Sequence, residues 1–373
     1  MSKITTTLGL LSVAALASRL SGCGASPSSS GLELFATDAR HRWTGVAALA
    51  SPARERVFVN YPDWNERAPI QVAELIDGSP RPYPDATWQD WSEGRDPSSR
   101  WVCVQSVHAD RLGRLWVLDP AAPGFNGPVA GGPKLVRIDP SRDLVERVYS
   151  FDDTITPPGS YLNDVRIDID TEHAFITDSG LGAIIVVNLV TGDARRLLSE
   201  HPLTTTDPGF VPQIGGEAWL TPAGDVPQIH SDGIALDHDR RDLYWQAITG
   251  RTLYRASLSD LLSPGLTDEQ LASRVERVRE TVMTDGMLYH GRTIYFSALA
   301  RDAVTALDVT RPGADLVDVA GSADLAWPDS FAIAADGTGL VTSAQIHIES
   351  PFLPGGAPPA NAYKLFRFKL IGR

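Results

Sequence analysis

Residues 165–178 read VRIDIDTEHAFITD, which is an apolar run, a tight polar turn and a second apolar run. This pattern is typical of a β-hairpin. Five further copies occur along the chain: Val46–Asn60, Val107–Asp119, Ile234–Ala247, Met287–Ala298 and Phe331–Ala344. The copies start about 44 to 69 residues apart, near the length of one propeller blade. The repeats therefore predict an all-β fold, a six-bladed β-propeller.

A third apolar or alternating segment follows every hairpin, as a blade requires. These segments are Ile70–Leu75, Lys134–Asp139, Ala183–Leu189, Thr252–Leu258, Ala303–Val309 and Tyr363–Leu370. A weaker fourth segment follows in four units: Val145–Ser150, Ala194–Leu198, Val275–Arg279 and Leu316–Val319. The last unit ends at its third strand, so we expect Leu32–Thr37 to complete it and close the ring by pairing the two ends of the chain. One helix is predicted over Thr267–Arg279, where Thr267 and Gln270 have capping-box spacing.

Composition excludes several classes of function. The chain has 373 residues, with 33 Lys or Arg against 46 Asp or Glu, a net charge of −13, and no basic run. Nucleic acid is therefore excluded as the main partner. Two cysteines exclude a disulfide scaffold and a thiolate zinc site, and Cys103, inside an apolar strand, is predicted to fill the core. No G-x-S-x-G, H-E-x-x-H, Walker or dinucleotide-binding motif occurs.

The N-terminus has the features of a bacterial export signal. Lys3 precedes an apolar stretch, Leu8–Leu16, that is too short to span a bilayer. Leu20–Cys23 follows and resembles a lipobox, whose cysteine is acylated after cleavage. We therefore predict a signal peptide over 1–23 with lipidation at Cys23, a flexible tether over 24–31 and the propeller over 32–373, in an extracytoplasmic protein. The alternative is plain secretion, with cleavage at Ala15–Ala17.

One polar residue precedes the first strand of every blade. First strands line the central channel of a propeller, so these residues should converge at one mouth. Aligning the copies on their turns gives the six residues that we call the ring: Thr44, Gln105, Asn163, Asp232, Asp285 and Asp329. A Gly, Ser or Asp follows each of them.

The three ring carboxylates need compensation if they meet. At ~4 Å each like-charged pair costs ~4 kcal/mol at an effective dielectric of ~20. A bound cation, a ligand ammonium or a shared proton would offset this cost. Oxygen ligands at Asn163, Asp232 and Asp285 favour calcium or magnesium, and His230 and His108 lie near enough to transfer protons. Each Asp–Gly pair alone also fits ordinary turn chemistry.

The long connections fall on the same face as the ring. They are 76–104, 120–133, 199–230 and 345–362. Loops over a rigid scaffold commonly carry binding groups. Aromatic residues on or near them are candidates for the wall of a pocket: Trp88, Trp91, Trp101, Phe125, Phe210 and Trp219.

The blade sequences resemble the major royal jelly protein and yellow protein family over about residues 40–370. The similar segments, in order, are Tyr83–Trp88, Trp101–Pro120, Pro133–Asp139, Leu162–Asp168, Ala174–Gly180, Ser231–Leu236, Leu243–Leu258 and Trp327–Phe331. The resemblance implies a six-bladed propeller that is secreted, and, as in some insect members, binding of biogenic amines or a role in pigment formation. Bacterial relatives are often described as related to dopachrome tautomerase.

A more distant resemblance is to the metal-dependent gluconolactonase and regucalcin group. It places Asp285 at that group's metal-binding Asp, Asp232 at a metal-binding Asn and Asn163 at a further Asn. Thr44 stands where the group has a metal-binding Glu. This departure counts against lactonase activity.

Two hypotheses of function follow, and a third is weaker. The first is a monomeric, lipid-anchored propeller that binds a small cationic or polyhydroxylated ligand at the ring, with or without a divalent ion, with Thr44, Gln105, Asn163 and Asp329 as binding residues. The second is a metal-dependent lactone hydrolase with Asp232, Asp285 and His230 as catalytic residues. The third is a protein-interaction platform, which would leave the polar ring without an evident use, or a dopachrome-tautomerase-like role.

Overall fold

The structure is a computed structural model that describes residues 31–65, 67–349, 352–353, 359 and 361–371. The predicted signal peptide, Cys23 and residues 24–30 of the predicted tether lie outside the described residues. No helix within the described ranges is long and apolar enough to cross a membrane.

The described chain forms 26 strands. In chain order they are β1 (Leu32–Asp38), β2 (Val46–Ala50), β3 (Glu55–Asn60), β4 (Val72–Ile76), β5 (Ser79–Pro82), β6 (Ser106–Ala109), β7 (Leu115–Asp119), β8 (Lys134–Asp139), β9 (Leu144–Ser150), β10 (Leu162–Asp168), β11 (His173–Asp178), β12 (Ala183–Asn188), β13 (Ala194–Leu197), β14 (Gln213–Ile214), β15 (Glu217–Ala218), β16 (Ser231–Asp237), β17 (Asp242–Ala247), β18 (Thr252–Ser257), β19 (Glu276–Glu280), β20 (Thr284–His290), β21 (Thr293–Ala298), β22 (Ala303–Asp308), β23 (Val317–Gly321), β24 (Pro328–Ile333), β25 (Gly339–Ser343) and β26 (Tyr363–Phe368). The short helices are α1 (Ala86–Gln89), α2 (Leu258–Leu261) and α3 (Asp268–Ala272), with 3-10 turns at Pro123–Phe125, Leu299–Arg301, Ala323–Leu325 and Ile346–Ile348.

Six antiparallel four-stranded sheets form the blades of a β-propeller, as predicted. From the inner to the outer strand, blade I is β2 to β5, blade II β6 to β9, blade III β10 to β13, blade IV β16 to β19 and blade V β20 to β23. Blade VI runs β24, β25, β26 and then β1. The inner strands contact one another in cyclic order, and β24 returns to β2. They therefore surround one central channel.

The predicted closure is confirmed. Strand β1 pairs antiparallel with β26, from Leu32 opposite Phe368 to Asp38 opposite Tyr363. The N-terminal strand thereby covers the edge that β26 would otherwise leave exposed. The two ends of the described chain thus hold the propeller closed.

Two local elements differ from the prediction. Blade I has a fourth strand, β5, which was not predicted because its sequence SPRP is short and rich in proline, a residue confined to sheet edges. The helix at Thr267 has the predicted capping box with Gln270, but it ends at Ala272 instead of Arg279. Glu276–Glu280 forms β19, the outer strand of blade IV, which confirms the predicted fourth segment Val275–Arg279.

The hydrophobic core lies between the blades. Each of six clusters of buried side chains is built mainly from two neighbouring blades: one around Trp43 joins blades VI and I, and one around Trp116 joins blades II and III. A seventh cluster, which includes Cys103, covers the ring end of the channel. Most of the apolar side chains therefore lie between the blades, and the polar ring residues occupy one end of the channel.

Candidate functional site

All six ring residues are buried, with at most 7% of each exposed. At four of them, an irregularity of the backbone sets the direction of the side chain. A register shift, typical of a β-bulge, interrupts the inner strand at Asn163, Asp232, Asp285 and Asp329. Bulges next to binding sites redirect side chains that a regular pleat would turn elsewhere. The predicted convergence of the ring is therefore a property of the inner strands themselves.

A chain of hydrogen bonds runs through residues of blades I to IV and ends on Asp232. Trp64 Nε1 donates to the Tyr161 hydroxyl (2.6 Å), which donates to Gln105 Oε1 (2.9 Å). Gln105 Nε2 donates to Asn163 Oδ1 (3.2 Å), and Asn163 Nδ2 donates to Asp232 Oδ2. Every donor points the same way, towards the carboxylate. These bonds fix the orientation of Asp232, and the amide oxygens of Gln105 and Asn163 each accept one of them.

The other oxygen of Asp232 is buried and receives no hydrogen bond from an ordinary donor among the described residues. Its neighbour is the carboxyl group of Asp285, with which Asp232 shares a hydrogen bond when one of the two is protonated. Burial, together with the negative charge of Asp285, raises the pKa of Asp232 well above its usual value. Burial raises the pKa of Asp285 to about 7, although a hydrogen bond from Trp327 Nε1 to Asp285 Oδ2 (2.7 Å) opposes the shift. Asp232 therefore keeps its proton to higher pH than Asp285, and the pair holds one negative charge once Asp285 ionises.

Asp329 is the third acid of the ring. Its Oδ1 accepts from the Ser330 hydroxyl (3.0 Å), but no partner is found for the buried Oδ2 in the described chain. Burial and then the charge of Asp285 raise the pKa of Asp329 well above normal. The nearby cation, Arg42, is ion-paired with Glu349. The three acidic side chains of the ring therefore have, among the residues that the structure describes, no cationic side chain that is free to neutralise them, because Arg42 is already paired.

A pocket of about 170 Å³ opens above part of the ring. Its polar floor is formed by Gln105, Asn163, Asp232 and Asp285, with Ser179 beside them. Aromatic side chains form much of the wall: Trp64, Phe125, Tyr161, Trp327 and Phe352. Phe125 links two of them, with ring centroids 5.2 Å from Trp64 and 5.3 Å from Tyr161. We call this pocket the ring pocket.

The remaining predicted site residues lie outside the ring pocket. The Thr44 hydroxyl donates to the Gln105 carbonyl and accepts from Asn60, so it joins blades I and II. Asp329 does not line the pocket. His230 Nδ1 accepts from the Thr206 amide (3.2 Å), and His108 faces the opposite mouth of the channel.

Most of the predicted aromatic wall is placed elsewhere. Phe125 lines the ring pocket, and Trp219 packs behind Trp327 and Phe352. Trp88 and Trp101 pack against each other in the interface between blades I and II. Those two residues, with Trp91 and Phe210, do not line the ring pocket.

The arrangement does not fit a preformed divalent-cation site. Such an ion would need oxygen atoms of Asn163, Asp232 and Asp285. Asn163 instead presents Nδ2 to Asp232, and its Oδ1 already accepts from Gln105, so a cation would require the amide to turn and the chain of hydrogen bonds to break. Within the ranges described, no three His, Cys, Asp or Glu side chains are grouped to hold a metal.

Solved structures with the same fold include enzymes and a calcium-binding protein. A gluconolactonase from Xanthomonas campestris is 10% identical, with 90% of this chain and 89% of that chain covered and a TM-score of 0.52. The calcium-binding protein regucalcin from Agrobacterium tumefaciens is 14% identical, with 92% and 96% covered and a TM-score of 0.52. An aldose sugar dehydrogenase from Streptomyces coelicolor, bound to PQQ, is 13% identical, with 92% and 99% covered and a TM-score of 0.51. These similarities establish the fold alone.

Sequence comparison identifies the family. No curated protein matches the chain. The family model described as major royal jelly protein matches residues 102–347, from the start of blade II to the end of the second strand of blade VI. This range contains five of the six ring residues and Tyr161 and Trp327 of the ring pocket. The chain belongs to the major royal jelly protein family.

Proposed function

We propose that this protein is a monomeric, extracytoplasmic binding protein, held to a membrane by a lipid on Cys23, whose ring pocket takes a small aromatic amine. The observation that carries this proposal is the pair of buried acids, Asp232 and Asp285, beneath an aromatic wall and without a cationic side chain among the described residues that line the pocket. A buried carboxylate without compensation is costly, and a ligand ammonium would supply the missing charge and hydrogen bond.

The walls of the pocket support the same class of ligand. Trp64, Tyr161 and Trp327 line the pocket and would surround a flat apolar body, and aromatic rings also attract cations. The volume of about 170 Å³ is below the roughly 300–1,000 Å³ of sites for drug-sized ligands. The ligand should therefore be small, a single ring with a short aminoalkyl chain.

Calorimetric titration with phenethylamine tests the proposal. We expect binding at pH 8, no binding of the neutral analogue 2-phenylethanol, and an affinity lower by about tenfold or more at pH 5.5. The amine is cationic at both pH values, whereas Asp285, with its pKa of about 7, carries its charge mainly at the higher one. Equal affinities for the amine and the alcohol, or tighter binding at pH 5.5, would contradict the proposal.

A metal-dependent lactone hydrolase is the second candidate. The buried carboxyl oxygens of Asp232 and Asp329 that receive no hydrogen bond from an ordinary donor favour it, because hard cations bind oxygen atoms of this kind. The orientation of Asn163 opposes it. Aldonolactone turnover should be assayed with calcium and with magnesium, before and after chelation. Turnover that requires the ion would favour the hydrolase, whereas amine binding unchanged by chelation would favour the binding protein.

The proposed anchor is tested separately. The protein expressed with its own leader should partition with membranes, and Cys23→Ser should abolish this, because the lipid chains contribute ~0.8 kcal/mol per buried methylene and two chains are enough for stable anchoring. Cell fractionation followed by immunoblotting measures the effect. Ser21→Ala is the matched control and should still partition with membranes. Membrane association of Cys23→Ser would contradict lipidation at this residue.

A further inference from the structure

The channel has a second cavity, of about 450 Å³, at the mouth opposite the ring. All six inner strands reach it, since residues of β2, β6, β10, β16, β20 and β24, or the turns that follow them, line its wall. We call it the opposite cavity. No residue of the ring or of the ring pocket lines it.

The charge of the opposite cavity differs from that of the ring. Five of its lining residues are cationic or protonatable: His108, Arg111, Arg166, His238 and His290. The carboxylates in its wall are Asp110 and Asp239. Asp110 is already engaged, because one of its oxygens accepts from Arg114 Nε (2.7 Å) and Trp116 Nε1 (2.8 Å). Arg111 forms an ion pair with Asp170, and His238 Nδ1 lies 3.8 Å from Asp168 Oδ1, so Arg166 is the cation on which anion binding in this cavity would depend.

Arg166 is a cation held in place in the wall of the opposite cavity. Its guanidinium donates to the carbonyls of Val165 (2.7 Å) and Met287 (2.6 Å), which hold it in place between blades III and V. Its carboxylate neighbour, Asp164, is 3.5 Å away, beyond the 2.7–2.9 Å of a charge-assisted hydrogen bond. The Asp164 carboxylate also accepts from the Ser106 hydroxyl at 3.1 Å. The guanidinium is therefore only partly neutralised.

His108 stands beside Arg166 without a partner. No hydrogen bond or ion pair is found for its imidazole within the part of the chain that the structure describes. The charged groups that act on it are Arg166 and His238, and burial together with these groups lowers the pKa of His108 well below its usual value. A neutral imidazole in this position is a ready hydrogen-bond donor to an anion that Arg166 attracts.

Apolar side chains complete the wall of the opposite cavity. They include Leu236, Leu288, Phe331 and Ile333, with the ring of Tyr289. A bare inorganic anion would leave this surface wet, whereas an organic acid would cover it. The cavity thus combines two hydrogen-bond donors with an apolar wall. We propose that it is a second ligand site, for a small carboxylate with an apolar body, whose carboxyl group accepts hydrogen bonds from Arg166 and His108.

Benzoate is the probe for this site, with benzamide as the uncharged analogue and inorganic phosphate as the bare anion. Titration calorimetry should show that benzoate binds at least tenfold more tightly than either control. In protein with labelled histidine, benzoate should shift the imidazole signals of His108. His108→Asn and Arg166→Gln should each weaken benzoate binding tenfold or more. Phenethylamine binding should not change in His108→Asn, since His108 does not line the ring pocket.

The outcomes separate this site from the ring pocket. Failure of benzoate to bind, tighter binding of phosphate, or equal binding of benzamide would overturn the proposal. So would benzoate binding that is unchanged in both variants or an unshifted His108 signal. The histidine measurement uses the unaltered protein, so it remains decisive if Arg166→Gln does not fold. If phenethylamine failed to bind the unaltered protein while benzoate bound as expected, the proposed function would be refuted and the proposal for the opposite cavity would stand.

Discussion

Asp285→Asn is expected to raise the free energy of unfolding at pH 8 by about 2 to 4 kcal/mol and to do almost nothing at pH 4. Burial raises the pKa of Asp285 from 3.8 to about 7, and each pKa unit corresponds to about 1.4 kcal/mol. Well below pH 4 both the folded protein and the unfolded chain hold the proton, and at pH 4 the unfolded chain has only begun to gain from ionisation. Between pH 4 and 7 the unfolded chain ionises first, so the stability of the wild type falls as the pH rises. Urea unfolding at both pH values measures the difference.

Asp315→Asn is the control for this prediction. Asp315 is exposed, so its substitution should change stability by less than about 0.5 kcal/mol at either pH. An equal effect of Asp285→Asn at pH 4 and pH 8, or destabilisation at pH 8, would show that the carboxyl group is not desolvated in the folded protein. Asparagine can still accept from Trp327 Nε1, so the substitution removes a charge without orphaning that donor.

The same substitution should damage binding. Removing the charge opposite a desolvated ammonium typically costs 2 kcal/mol or more, which is about a 30-fold loss of affinity for phenethylamine. A variant that is both more stable and a poorer binder is the signature of a site whose strain serves function. If Asp285 had only a structural role, Asp285→Asn would lower the stability of the protein and would cause no specific loss of phenethylamine binding.

The fold could be predicted because its signal is repeated. Each hairpin such as Val165–Asp178 carries weak evidence alone, but six copies at blade spacing exclude most other architectures. The outer strands were harder. Glu276–Glu280 contains charged residues and pairs on one side only, so its sequence also supported a helix. Ser79–Pro82 lacks the periodicity that identifies a strand.

The site was predictable where the repeat defines it. The ring follows from aligning the blades, and the aromatic residues Tyr161 and Trp327 each precede a ring residue by two positions. Strand periodicity does not relate the directions of these side chains, because a β-bulge interrupts the strand at Asn163 and at Asp329 and Trp327 has a positive φ of 52°. Trp64, Phe125 and Phe352 come from connections between strands, where no period relates sequence to direction. Their places depend on tertiary packing.

Gly233→Ala is expected to destabilise the protein by about 3 kcal/mol or more and to abolish amine binding. A Cβ atom on Gly233 would lie 2.4 Å from the carbonyl oxygen of Asp285, on the inner strand of the next blade. Overpacking typically costs 1–3 kcal/mol, and a backbone atom yields less readily than a side chain. Relief of this contact would have to move Asp285 itself. Urea unfolding and titration with phenethylamine measure the two effects.

Gly286, which follows the ring residue Asp285, leads to the same prediction, and Gly265 provides the control. A Cβ on Gly286 would lie 2.3 Å from the carbonyl oxygen of Asp329, so Gly286→Ala should resemble Gly233→Ala. No atom lies within 4 Å of the equivalent position on Gly265, so Gly265→Ala should leave stability and binding unchanged or raise stability slightly. If all three variants behaved alike, the inner strands could not approach as closely as the ring requires. Asp232, Asp285 and Asp329 meet because the residues after the first two have no side chain to hold the blades apart.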